Sequence, residues 1–266
     1  METAHDLKRL VELVRQVEDG GPSHRHPGAP ARQVSTGWSP VDAALGRDAG
    51  CSGVGGVGGL SCQGVHEWFS PAENGLTWSA PLAVLMHLAQ RAGQLCAGGW
   101  AVWIGKACWP YAGRSGQAER DDLFERSLLI DPPDVACRLW AIDLAARCAG
   151  IAAVVADGRG LKMSATRRVQ LAARGGALMM LARPEREVNE LSAATTRWLV
   201  RPVVHAGEQP AWDVQLLRCK GGALPKQCIW RVEQDGAKGV VFVPAVVVDR
   251  PAASQADGAV AEQRSA

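Results

Sequence analysis

The sequence predicts an α/β fold: a mostly parallel sheet flanked by helices, continued by antiparallel C-terminal strands, with a detached N-terminal helix. Three observations predict it. Between residues 65 and 181, short apolar runs alternate with stretches of helical periodicity, the pattern of strands joined through crossover helices. Ala101–Ile104 (AVWI) and Ile151–Ala156 (IAAVVA) are apolar throughout, as strands covered on both faces must be. From Trp198 onward the helical period disappears, and apolar strands follow one another across turns.

Taken in order, residues 1–18 place Leu7, Leu10, Val11 and Val14 on one side of an amphipathic helix. Residues 19–34 (DGGPSHRHPGAPARQV) read as a flexible linker. The core is expected over 35–248. It opens on STGWSPVDAALG, a turn and then a short helix with Ser39 as cap, Pro40 at the first position and Asp42 in the first turn. The glycines from Gly53 to Gly59 precede a strand instead of following one, so a flexible surface loop is expected there. Next come a strand at Val65–Phe69, a helix over 79–96, the AVWI strand, a polar helical segment over 116–127 and a short strand at Ser127–Ile130. Residues 134–149 follow as a helix, with Val135, Leu139, Ile142, Leu144 and Ala145 at its apolar positions. After the IAAVVA strand come a helix over 162–175 and a strand at Ala177–Leu181. Strands are then expected at Trp198–Val204, Trp212–Arg218, Cys228–Val232 and Val240–Val248. Residues 249–266 have the composition of a disordered tail.

Composition narrows the function. The chain has 29 basic and 27 acidic residues, so any nucleic-acid contact must come from a local patch. Its longest apolar runs are too short to span a bilayer, and the acidic, amphipathic N-terminus is unlike a secretory signal; a cytoplasmic protein is expected. None of the eight cysteines forms C-x-x-C, and the surroundings of Cys137 and Cys148 suggest buried, reduced thiols. His66-Glu67 lacks the second histidine of a zinc helix motif. Ten tryptophans accompany one tyrosine and three phenylalanines. Most belong in the core, with Trp109 and Trp212 as candidate exposed members of an interface.

The most informative stretch is GVHEWFSPAENGLTWSAPLA, residues 64–83. A strand running into a small-residue loop and then a helix is the layout of a phosphate-binding loop, G-x-x-x-x-G-K-[ST]. Here Ser70 replaces the first glycine and Leu76 the lysine, and only Gly75 and Thr77 fit. The lysine neutralises the β- and γ-phosphates, and the glycines let backbone N–H groups approach them. Efficient ATP hydrolysis is therefore not expected. Asp157, ending IAAVVAD, stands where a Mg²⁺-organising carboxylate would lie; its other reading is the start of an Asp-Gly turn.

The order of these elements resembles the RecA recombinase ATPase core over roughly residues 35–235. Within that superfamily the chain most resembles ImuA-like proteins of bacterial SOS mutagenesis cassettes. The features shared with them are the T-G-x-x-x-x-D-A-x-L opening, the W-x-x-W-I strand followed by Pro110-Tyr111, R-R-x-Q-L-A-A at Arg167–Ala173, and the Leu216–Gly222 turn. The resemblance implies an adenine-stacking position at Tyr111. It implies neighbour-contacting cations at Arg218 and Lys220, whose other reading is ordinary surface cations. It also implies DNA-contacting loops after Asp157 and Arg183. Arg159, Lys162, Arg167 and Arg168 are the candidate DNA contacts there, or a solvated helix face. Near Lys106, where a water-activating glutamate would belong, no carboxylate is visible.

The resemblance thus implies a non-hydrolysing scaffold in DNA-damage-induced error-prone translesion synthesis. It needs no cofactor, and residual ATP and Mg²⁺ binding stays open. Its implied partners are an ImuB-like Y-family polymerase homologue, an error-prone C-family DNA polymerase and RecA itself. The N-terminal helix would dock on a RecA-like protomer. A divergent ATPase using Thr77 and Asp157, with a lysine supplied by Lys106 or Lys220, is the alternative; a cell-division inhibitor is a third.

Overall fold

The apolar runs align into one sheet, because each is long enough to bury two faces and too short to do anything else with its backbone groups. The computed structural model describes residues 32–48, 58–72, 78–96, 99–111, 123–203, 209–221, 224–235 and 239–243. The expected N-terminal helix, most of the linker and of the glycine-rich stretch, loop residues 73–77 and the 249–266 tail lie outside them.

Strands β1 (Gln33–Val34) and β2 (Leu60–Ser61) form a small antiparallel pair. The main sheet holds β3 (Val65–Ser70), β4 (Trp100–Ile104), β5 (Ser127–Ile130), β6 (Ile151–Asp157), β7 (Leu178–Pro184), β8 (Thr196–Val203), β9 (Ala211–Cys219), β10 (Ile229–Asp235) and β11 (Gly239–Val243). Their order is β11-β10-β9-β8-β3-β7-β6-β4-β5. The six from β5 to β8 run parallel, and β8 to β11 pair antiparallel. The helices are α1 (Ser39–Asp48), α2 (Leu82–Leu95), α3 (Val135–Arg147) and α4 (Met163–Ala172).

Alternation along each strand splits the core into two layers. Trp68, Trp103, Val155, Met180 and Trp198 face α1 and α2. Val65, Val102, Val154, Ala156, Met179 and Leu181 face α3 and α4. Both layers bury β6 along its whole length, as its unbroken apolar run requires. In the first layer Trp68 stacks on Trp198 at 5.2 Å, and Trp198 meets Trp230 at 6.2 Å.

Several local expectations are corrected. Helix α2 starts at Leu82, behind Pro81, instead of at residue 79. The first turn of α1 is tied by Asp42 instead of Ser39. Its carboxylate accepts from the Thr36 N–H and hydroxyl and from the Ser35 hydroxyl, at 2.6–2.9 Å. The end of the glycine-rich stretch is not a free surface loop. A Cβ on Gly58 would lie 1.7 Å from the Asp42 carbonyl oxygen, and one on Gly59 2.5 Å from that of Val34, so only glycine fits. In α3, Ile142 and Ala145 are buried as expected, but Val135 is exposed and Cys137 only half-buried, next to the Asp134 cap. Trp109 and Trp212 pack against the core, whereas the exposed tryptophan is Trp140. Strand β7 runs three residues beyond Leu181, to Pro184, because it pairs with β3 that far. At the sheet edge, β11 is described to Val243, so the rest of the expected Val240–Val248 strand lies outside the described residues.

His66 gives the fold a pH dependence. The Trp198 indole N–H donates to Thr196 Oγ1 at 2.6 Å, and the Thr196 hydroxyl donates on to His66 Nδ1 at 2.7 Å. His66 Nε2–H donates to the Ser61 carbonyl at 3.0 Å. Burial lowers the imidazole pKa from 6.5 to about 4, against a smaller opposing pull from Ser61. Between these values the unfolded chain binds the extra proton, so stability is complete above pH 6.5 and falls as the pH drops toward 4. Denaturant titrations should show a loss of about 3 kcal/mol across that window, and His66→Gln should flatten it.

Candidate functional site

In open α/β sheets, ligands sit beyond the carboxyl ends of the strands, where successive connections diverge. Here that point is the end of β3. The chain leaves it for β4 and β5, returns through β6 and β7, and enters β8 on the other side of β3. Ser70, Gly105, Asp157 and Arg183 lie at or just beyond the ends of β3, β4, β6 and β7.

The β3 end is closed by Trp78. Its indole N–H donates to Ser70 Oγ at 2.9 Å, and the Ser70 hydroxyl donates to the Ser79 carbonyl at 2.9 Å. Because α2 begins only at Leu82, the segment from Trp78 to Pro81 stands between the loop and the helix N-terminus. A phosphate-binding loop instead runs straight into its helix.

Asp157 is buried and saturated. Its Oδ1 accepts from the Arg159 backbone N–H and Nε at 2.9 and 3.0 Å. Its Oδ2 accepts from Arg138 Nη1 at 3.0 Å and Arg159 Nη2 at 2.6 Å. Arg138, from the first turn of α3, also donates to the Arg159 carbonyl at 2.6 Å. The Arg159 guanidinium lies 5.1 Å over the Trp78 ring, so one side chain joins the β6 turn to the β3 plug. Gly105 permits this crowding: it has φ 91°, and a Cβ there would stand 2.9 Å from that of Asp157. Behind it, burial beside the Asp157 carboxylate pushes the Cys108 thiol pKa up. Mg²⁺ requires hard oxygen donors and several waters in an octahedron; Asp157 offers oxygens already turned to two guanidiniums, which does not fit. Among the described residues, no group of three or more His, Cys, Asp or Glu is placed to hold a metal ion.

A second charged cluster lies beside the first, beneath the β7–β8 connection. Glu67 is fully buried; Oε1 accepts from Arg183 Nη1 at 2.7 Å and Ser192 Oγ at 2.8 Å, and Oε2 from Arg197 Nε at 2.7 Å. Arg183 also pairs with Glu187 at 2.9 Å. Phe69 lies under both guanidiniums, 5.9 Å from Arg183 and 4.8 Å from Arg197. Arg197 Nη2 is buried without a hydrogen-bond partner. The cluster fixes residues 185–195 from below, and Arg218 fixes them from the side by donating to the carbonyls of Ser192 and Ala194 at 3.3 and 3.5 Å.

The residues named from the sequence divide accordingly. Ser70 and Asp157 come together through Trp78 and Arg159. Gly75, Leu76 and Thr77, like Leu7, Leu10, Val11 and Val14, lie outside the described residues. Tyr111 is exposed beyond β4. Arg218 is turned onto its own chain, whereas the Lys220 side chain is exposed. The β4 end does have a carboxylate nearby, since Asp131 pairs with Lys106 at 2.8 Å. The proposed basic patch is largely neutralised: Arg159 pairs with Asp157, Lys162 with Glu190 at 3.5 Å and Arg168 with Asp143 at 3.2 Å, leaving Arg167 exposed. Glu67, Trp78, Arg138, Arg183 and Arg197 were not named as site residues. For Glu67, Arg183 and Arg197 the only trace is a charge inside or at the end of an apolar run, as in VHEWFS, LMMLARP and TRWLV; Trp78 and Arg138 carry no such signal.

Fold and site together define an α/β protein whose strand-end crevice is filled by its own tryptophan and arginine side chains. No protein-family model matches the chain, and no curated protein matches it. No helix among the described residues is long and apolar enough to cross a membrane.

Proposed function

We propose that this chain is a RecA-like scaffold of the ImuA type, serving DNA-damage-induced error-prone translesion synthesis through protein partners and without hydrolysing ATP. The observation that carries the reading is the Asp157 clamp. The carboxylate that would organise Mg²⁺ and water in an ATPase is neutralised by Arg138 and Arg159, with Arg159 packed on Trp78. The order of sequence features resembling ImuA supports the same reading. So does the sheet, which keeps parallel strands around β3 and adds antiparallel strands at the C-terminal side. The partners on this reading are an ImuB-like Y-family polymerase homologue, an error-prone C-family polymerase and RecA.

Two measurements test it. Affinity purification from mitomycin-treated cells should recover the two polymerase-type proteins, and their absence would sink the reading. Leu76→Lys, which restores the missing lysine, should leave ATP turnover at background, because Asp157 stays occupied. Steady turnover by that variant would instead favour a divergent ATPase.

A further inference from the structure

Helix α4 contains no acidic residue, and its outward face alternates apolar and cationic side chains. Met163, Arg167 and Leu171 recur at i, i+4 and i+8, so they form one stripe. Arg174 continues the cationic content in the turn that follows. Met163 is 44% and Leu171 52% exposed. The β7–β8 connection brings a third apolar group to this face. It is fastened to the start of α4 by the Lys162–Glu190 pair at 3.5 Å and by the Ala193 N–H donating to Thr166 Oγ1 at 3.1 Å. Leu191, between these two anchors, is 77% exposed. Such a leucine would ordinarily be left to a mobile loop. Here the loop is held from beneath by the buried Glu67–Arg183–Arg197 cluster, so the side chain is presented in a fixed place.

Charge selects the occupant. The acids around this face are already engaged: Asp143 by Arg147 and Arg168, Glu187 by Arg183, and Glu190 by Lys162. Arg167 and Arg174, with Arg186 on the Leu191 loop, are exposed and carry no ion pair among the described residues. Guanidiniums interleaved with aliphatic side chains match a segment bearing carboxylates beside aliphatic residues, since Arg engages carboxylates through paired hydrogen bonds. Nucleic acid is the poorer match, because single strands are held by aromatic platforms and this face has aliphatic groups where those would stand.

We propose that the α4 stripe together with Leu191 is a docking surface for an acidic, aliphatic segment of a partner protein. The proposal goes beyond the translesion reading and does not depend on which pathway the partner serves. It is tested by placing the photo-cross-linker p-benzoylphenylalanine at Leu191, and separately at Leu171, in the full-length chain, irradiating cells and sequencing the attached peptide. The expected product is a protein adduct whose peptide carries net negative charge and aliphatic residues. Arg167→Glu with Arg174→Glu should cut its yield at least about tenfold, and Arg167→Lys with Arg174→Lys should largely retain it. Nuclease-sensitive adducts, an attached peptide without net negative charge, no adduct from either position, or a yield indifferent to charge reversal would each overturn the proposal. Affinity purification with the wild-type chain reads the translesion partners separately, so the two ideas can fail independently.

Discussion

Glu67→Ala should cost about 3–5 kcal/mol of folding stability, a large share of a typical domain's total, because it leaves the buried Arg197 guanidinium without a carboxylate and Arg183 with Glu187 alone. Arg183 and Arg197 both sit in the sheet interior, and Glu67 is the carboxylate they share. Both side chains are buried and packed over Phe69, which opposes their swinging out to water. Guanidinium groups do not escape by losing a proton either. Urea denaturation followed by circular dichroism measures the loss. Glu67→Gln keeps one acceptor oxygen, loses the charge and turns an NH2 donor toward the remaining partner, so it should fall between wild type and Glu67→Ala. Replacing all three residues by aliphatic side chains of similar volume should recover most of the stability, because a buried ion cluster gives little net stabilisation relative to a packed apolar one. Proteolysis should report the same ranking locally, with cleavage appearing first between residues 185 and 195. A Glu67→Ala protein as stable as wild type would mean that the cluster does not fasten that segment.

Asp157→Ala is the second large effect, and it separates two roles for one carboxylate. In a working ATPase such a residue acts on metal and water, so its loss would reduce turnover and spare the fold. Here Asp157 braces Arg138 and Arg159, and through Arg159 the Trp78 plug. Its removal should cost about 3 kcal/mol, less than at Glu67 because Arg159 is more than a third exposed and can rehydrate. Trp78 should then shift, which its fluorescence can read against the other tryptophans through a Trp78→Phe control. An unchanged denaturation midpoint would exclude the brace.

The extent to which each feature was legible follows from its range along the chain. Strands β4 and β6 and helices α3 and α4 were foreseen to within about three residues at each end, since a period of 2 or 3.6 is written by near neighbours. The helix expected over 79–96 starts three residues later than its sequence pattern suggests. Only the fold shows why the helix waits until Leu82: the Trp78 indole is held on Ser70, and the Leu82 N–H turns back to the Ala80 carbonyl at 2.8 Å around Pro81. Arg168 reads as part of a surface patch because its acid, Asp143, lies 25 residues away on α3. Arg159 is only two residues from Asp157, and their pairing follows from the turn at the end of β6.

The sequence by itself determined the α/β class, the alternation of strands and helices, the antiparallel end and the departure from a phosphate-binding loop at Ser70 and Leu76. Each depends on residue type and short spacing. Tertiary structure alone decided what the charges do. Arg138 meets Asp157 across 19 residues, Arg183 meets Glu67 across 116, and Arg197 meets Glu67 across 130. Those meetings depend on which strands become neighbours, and strand order is fixed by packing the two apolar layers together. No local pattern specifies it. A charge within an apolar run announces that it must be paired, because burying it alone is too costly, but only the folded sheet supplies the partner.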